Sequence, residues 1–176
     1  MKNFIKEWVP YLIIIIVVVL TRTYIITPVI VRGDSMDNTL HDKEVLILSK
    51  ISYKFSEIKR YDIVVIKDKD DDYIIKRIIG LPGDNIEYID NTLYINDKKI
   101  KENFSIGETK DFTLEEICEI NDDDCSEGIS KGKYLVLGDN RTVSADSIVK
   151  GLIDEKQIIG KTIVRLWPLE KLGTIE

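Results

Sequence analysis

The chain has 176 residues, 44% of them hydrophobic, which suits one domain with a real core and at most a small elaboration. Acidic groups outnumber basic ones, 31 to 25, for a formal net charge of −6. This balance argues against a nucleic-acid partner, because phosphate binding draws on lysine and arginine and no basic patch with interleaved aromatics is present.

From Trp8 to Leu20 the sequence is apolar apart from a break at Pro10, and it carries an unbroken aliphatic block from Leu12 to Leu20. Thr21-Arg22-Thr23 interrupts it before Tyr24-Ile25-Ile26 resumes. A membrane span takes ~20 residues, so the pattern predicts a transmembrane helix from about Trp8 to about Ile26. Arg22 then lies near one end, where its stem carries the charge to the headgroups. Trp8, Tyr11 and Tyr24 fit the interfacial aromatic pattern. A cleavable leader shares the basic start and the apolar stretch, but Thr27-Pro28-Val29-Ile30-Val31 is bulky and has no small-x-small site. An uncleaved single-pass anchor in the cell membrane is therefore expected over residues 1–27. Lys2 and Lys6 put its start in the cytoplasm and residues 28–176 outside.

Beyond the anchor the chain reads as mainly β. Val45–Leu48, Ile63–Ile66 and Tyr73–Ile79 are β-branched runs, and Leu81-Pro82-Gly83-Asp84 is a turn by composition. A meander follows, with strands at Ile86–Ile89 and Leu93–Ile95 and turns at Asp90-Asn91 and Asn96-Asp97. Tyr134–Leu137 leads into Gly138-Asp139-Asn140-Arg141, and Ile158–Trp167 is a last strand stopped by Pro168. Residues 101–131 are polar and acidic and read as a variable surface excursion. It holds one short helix announced by the capping-box spacing of Thr113 and Glu116. Cys118 and Cys125 flank an acidic run and stand either as a disulfide or as two thiols. They and the scattered aspartates do not make a metal site.

Two residues point to chemistry. Ser35 lies in Gly33-Asp34-Ser35-Met36-Asp37-Asn38-Thr39-Leu40, and Lys76 lies among Ile74, Ile75, Ile78 and Ile79. Burial of a lysine disfavours its charged form, and a neutral amine beside a serine hydroxyl is a general base beside a nucleophile. Lys76 faces opposite to Ile75 in a strand, so further apolar walls are needed, with the Met36 region a candidate. Taken singly, a turn serine and a solvated strand lysine are the ordinary readings. The single histidine, His41, sits in a polar turn and is expected at the surface rather than in a triad.

The anchor, GDSMDNTL, YDIVVIK, YIIKRIIGLPGD and GDNRTVSADS, in this order, resemble the type I signal peptidases in their single-anchor, Gram-positive form. That resemblance covers nearly the whole chain. It implies an N-terminal transmembrane helix followed by an antiparallel β-sheet catalytic domain with a small variable excursion. It also implies a serine endopeptidase that removes signal peptides from exported preproteins after small residues at −1 and −3. Ser35 is then the nucleophile and Lys76 the general base. Ser144 bonds and orients the lysine amine, Asp146 supports that network, and Asp139 pairs with Arg77. The Ser35 backbone amide serves the oxyanion. Gly33 stands where some relatives add a serine hydroxyl, so it brings no second donor. The substrate lies as a strand beside Pro28–Arg32 and Asp72–Ile75, with Val29, Val31 and Ile75 as pocket walls. No cofactor and no metal is implied. The implied partners are preprotein signal peptides, the lipid bilayer and a nearby secretion translocon, with no nucleic acid.

Two departures from the family pattern stand out. Asn38 replaces a usual proline, which predicts a less rigid turn, and Ile148 replaces a frequent arginine, which leaves Asp146 without that particular partner. The competing reading is a non-catalytic or narrow-substrate relative serving surface-protein or pilus assembly. A self-cleaving repressor-type protease shares the chemistry, but the anchor counts against it.

Overall fold

The computed structural model describes residues 8–68 and 72–175, with the backbone of the first helix traced from Lys2. Helix α1 spans Lys2–Tyr24, and its described apolar side chains from Trp8 to Leu20 are exposed. It ends at Tyr24 rather than near Ile26, because Ile26 is already paired with Ser49 in the first strand. Among the described residues no helix is long and apolar enough to cross a membrane. Lys2 and Lys6, which carry the expected orientation, lie outside the residues whose side chains are described.

The remainder is mainly antiparallel β, as the sequence predicts. In chain order it contains β1 (Ile26–Ile30), β2 (Val45–Ser49), α2 (Ser52–Phe55), β3 (Ile63–Lys67) and β4 (Tyr73–Gly80). Next come β5 (Ile86–Ile89), β6 (Thr92–Ile95), β7 (Lys98–Ile100), β8 (Phe112–Thr113), α3 (Leu114–Glu119) and β9 (Lys133–Leu137). The chain closes with α4 (Ser147–Lys150), β10 (Ile153–Asp154), β11 (Ile158–Trp167) and β12 (Gly173–Thr174).

The larger sheet runs β1-β2-β11-β3-β4-β9-β10, with β12 added to β11, and the smaller one runs β7-β6-β5-β8. The meander turns fall where composition places them. Asp90, Asn91, Asn96 and Asp97 all have positive φ, the conformation that two-residue hairpin loops require and that Asn and Asp tolerate. The run at β3 and the second half of β4, from Lys76 to Gly80, are almost wholly buried, so their β-branched residues face core on both sides.

The stretch 101–131 is more than a surface excursion. Phe112, Leu114, Ile117, Cys118 and Ile129 are buried in one cluster with Ile79, Ile86, Leu135 and Leu137, joining the small sheet to the large one. Its apolar residues are spread thinly among charges, so the local composition reads as solvated although these five side chains are inside. The capping box of α3 forms as predicted: the Glu116 amide donates to Thr113 Oγ1 at 3.3 Å and the Thr113 amide donates to Glu116 Oε2 at 2.9 Å. Cys118 and Cys125 are joined as a disulfide.

Candidate active site

The turn after β1 carries Ser35. Met36 and Leu40 are buried with Val31, Leu46 and Ile63, and the amides of Thr39 and Leu40 both donate to the Met36 carbonyl. Burying these two side chains seats the turn and leaves Ser35 partly exposed. The Asn140 amide donates to the Ser35 carbonyl at 3.1 Å, fixing the backbone of the serine against the loop after β9. Gly138 is needed at that crossing, since an added Cβ would sit 2.4 Å from the Ser35 carbonyl oxygen and 2.2 Å from Ser144 Oγ.

Lys76 comes from the middle of β4, paired across β3 with Val64. It is 3% exposed, and burial pulls its ammonium down to about 8. The Asp146 and Asp139 carboxylates oppose that fall, while the Lys150 charge adds to it. Ser35 and Lys76 line one cleft of about 770 Å³. Residues 27–30 and Arg32 form one wall and residues 72–76 the other, over a floor of Leu48, Val65 and Ile159. Because β1 and β4 are not neighbours in the sheet, their joint presence around this floor means the sheet curls into a trough. Among the described residues the β1 edge away from β2 is unpaired, and β9 joins β4 only from Arg77 onward, so both walls present free strand edges.

Beneath the cleft lies a buried ion pair. Arg77, 1% exposed, donates from Nε to Asp139 Oδ1 at 2.9 Å and from Nη2 to Asp139 Oδ2 at 2.7 Å. This is the pairing expected of these two residues, and its two-pronged geometry is the strong form of such a bond. The Phe104 ring covers the Arg77 guanidinium at 4.3 Å.

Three positioning groups were not visible in the sequence. Thr39 Oγ1 donates to Asp139 Oδ2 at 2.5 Å, and its carbonyl accepts from Arg165 Nη2 at 2.6 Å. Arg165 is held in turn by Glu44, 3% exposed, at 2.9 Å. The one available signal was a lone arginine inside the apolar run of β11. His41 is half exposed and close to Asp37 and Glu44, as a surface histidine would be.

Other expected site residues fall differently. Val29 and Ile75 line the cleft. Val31 does not: it is 2% exposed and packs with Met36 and Leu46, because its side chain points to the core side of the β1 extension. Gly33 has φ +77° and gives its amide to Asp42 Oδ1 at 3.0 Å. Ser144 does not bond the lysine amine. Its Oγ is buried and has no hydrogen-bond partner among the described residues, turned against Gly138.

The signal peptidase, peptidase S26 family model matches residues 5–167. The chain belongs to this family. It is 41% identical over 182 residues to the signal peptidase IB of Staphylococcus aureus strain COL, covering 97% of this chain and 94% of that one. It is 39% identical over 174 residues to the signal peptidase I of Bacillus licheniformis, covering 97% and 93%. The crystal structure of a signal peptidase I from Enterococcus faecalis V583 matches with a TM-score of 0.52 at 34% identity, over 60% of this chain and 97% of that one.

Within the signal peptidase pattern the two departures acquire structural meaning. Asn38 has φ +81°, which a proline ring cannot adopt, and its Nδ2 donates to the Phe104 carbonyl at 3.2 Å. The turn is therefore tied by a side chain instead of stiffened by a ring. With Ile148 in the arginine's place, Asp146 is held by backbone amides. Its Oδ2 accepts from the Gly138 amide at 3.0 Å and its Oδ1 from the Ile148 amide at 3.2 Å.

Proposed function

We propose that this chain removes signal peptides from exported preproteins, with Ser35 as nucleophile and Lys76 as general base. The observation that carries this reading is a single trough with two free strand edges, onto which a half-buried serine and a buried lysine of lowered pKa both open.

An extended peptide enters the trough as an added strand between β1 and β4. Its alternate side chains meet shallow walls that include Val29 and Ile75, which favours small residues at −1 and −3. The neutral Lys76 amine takes the Ser35 proton as Oγ attacks the scissile carbonyl, and the Ser35 amide meets the developing oxyanion. Lys76 then passes the proton to the leaving amine. Water, deprotonated by the same amine, releases the signal peptide from the acyl-enzyme. Arg77 and Asp139 tie β4 to the Ser35 turn through Thr39, and Asp146 braces the loop that carries Asp139 through the Gly138 amide. Gly33 keeps the backbone before the serine in its left-handed turn, without a side-chain donor to the oxyanion.

In this reading α1 is the cytoplasmic start and single-pass anchor, Ile26 and Thr27 at the end of the expected 1–27 segment already belong to β1, and residues 28–176 work outside the membrane near the translocon. Support comes from the 23-residue α1, about 34 Å long at 1.5 Å per residue, and from its exposed aliphatic side chains.

The test is preprotein cleavage in liposomes by wild type, Ser35→Ala and Lys76→Ala. Both variants are expected to fold and to leave the preprotein whole. Wild-type processing by Ser35→Ala would remove the nucleophile assignment.

A further inference from the structure

The free edge of β1 has a proline at its centre, and the hydrogen-bond register shows which way it faces. The Val31 amide donates to the Glu44 carbonyl at 2.9 Å, and the Lys50 amide donates to the Ile25 carbonyl at 2.9 Å. Between these points Ile26↔Ser49 through Ile30↔Val45 run in unbroken antiparallel register. Strict alternation therefore turns the backbone groups of Ile25, Thr27, Val29 and Val31 toward β2, and those of Ile26, Pro28 and Ile30 toward the trough. Pro28 presents a carbonyl there and no N–H.

The opposite wall has no such gap. The Asp68 amide donates to the Asp72 carbonyl at 2.8 Å and the Ile78 amide to the Asp62 carbonyl at 2.9 Å. In the same alternation Ile74 and Lys76 bond toward β3, while Tyr73 and Ile75 turn a donor and an acceptor each into the trough. One wall is thus a complete edge and the other an interrupted one.

We infer that Pro28 is a specificity-determining residue: it withholds a donor from the β1 wall, so that a peptide is held mainly by β4 and Ile30 and leaves after cleavage. This rests on the signal-peptide cleavage proposed above. A hydrogen bond made equally by substrate and product tightens both without lowering the barrier between them. Its omission keeps the cleaved fragment from occupying the site. It also turns away persistent strands, such as the edge of another folded sheet, which need a continuous ladder.

The experiment uses the full chain in detergent micelles, a synthetic peptide spanning a cleavage region with alanine at −3 and −1, and the free fragment ending at −1. Pro28→Ala restores the missing amide. It is expected to lower both KM and the fragment's inhibition constant by about three- to tenfold, the worth of one net hydrogen bond, without raising kcat. Replacing successive peptide amides by esters weakens one carbonyl acceptor at a time. The gain from Pro28→Ala should vanish for one ester position, the carbonyl opposite residue 28. Unchanged KM and inhibition constant overturn the inference, as does a gain that survives every ester. Ser35→Ala is run alongside. If it cleaves, the functional reading itself fails; if it is inert and Pro28→Ala changes nothing, only the role of Pro28 is lost.

Discussion

The small sheet and the Ser35 turn are built on opposite plans. The β5–β6–β7 meander is made of neighbouring hairpins, backed by an apolar cluster to which the disulfide-linked Cys118 belongs. The Ser35 turn is held by polar ties to distant parts of the chain: Asn140 to the Ser35 carbonyl, Asp139 to the Thr39 hydroxyl, Arg165 to the Thr39 carbonyl and Asn38 to Phe104. An apolar cluster tolerates small shifts, whereas hydrogen bonds of this kind fix distance and direction together. The region that places a hydroxyl against an amine in the proposed mechanism uses the second plan.

The largest effects should come from the polar plan. Asp139→Ala leaves the Arg77 guanidinium buried and unpaired, and is expected to cost about 3–5 kcal/mol of stability and to abolish cleavage; chemical denaturation and a preprotein assay read the two losses. Lys76→Met acts the other way on stability. Because the folded pKa is lowered from 10.5 to about 8, the native state carries the penalty of a buried charge below pH 8. The methionine variant, inactive, should therefore unfold about 3 kcal/mol less readily than wild type at pH 7. That margin should shrink between pH 8 and 10.5, as the wild type releases its proton first in the folded state. For the same reason wild-type kcat should rise with pH and level off above about 8, and replacing His41 should leave this profile unmoved.

A smaller, sharper effect separates the regions further. Arg165→Met removes one donor to the Thr39 carbonyl and should lower kcat about tenfold with KM near wild type, while Arg165→Lys recovers part of the loss. Smallest for catalysis is the apolar plan. Replacing Cys118 and Cys125 by alanine should cost about 2 kcal/mol in thermal unfolding, through the looser unfolded chain, and leave kcat within twofold. A large kcat loss there would break the contrast between the two regions.

What the sequence disclosed follows the same division. Strands β2 to β6, β9 and β11, the Asn and Asp turns and the α3 capping box are local patterns, and each was legible. Ser35 and Lys76 stood out only because their surrounding motifs resemble a family. The burial of Phe112 and Ile117 was hidden, since dispersed apolar residues give no periodicity. Thr39, Glu44 and Arg165 were hidden as well, because nothing near them in the chain hints at partners more than a hundred positions away. The core position of Val31 and the orphaned Ser144 hydroxyl depend on which way a turn leans, which spacing alone does not set.

The passage from α1 into β1 has no slack. Ile25 gives its amide to the Thr21 carbonyl and takes the Lys50 amide on its own carbonyl, and Lys50 Nζ reaches the Thr23 carbonyl at 3.1 Å. With five β1 residues rising about 17 Å beyond this joint, the trough is mounted at a set height rather than moored on a tether. In the single-pass reading proposed above, the scissile bond comes to that altitude, and the depth at which a signal peptide stops in the lipid becomes part of how it is chosen.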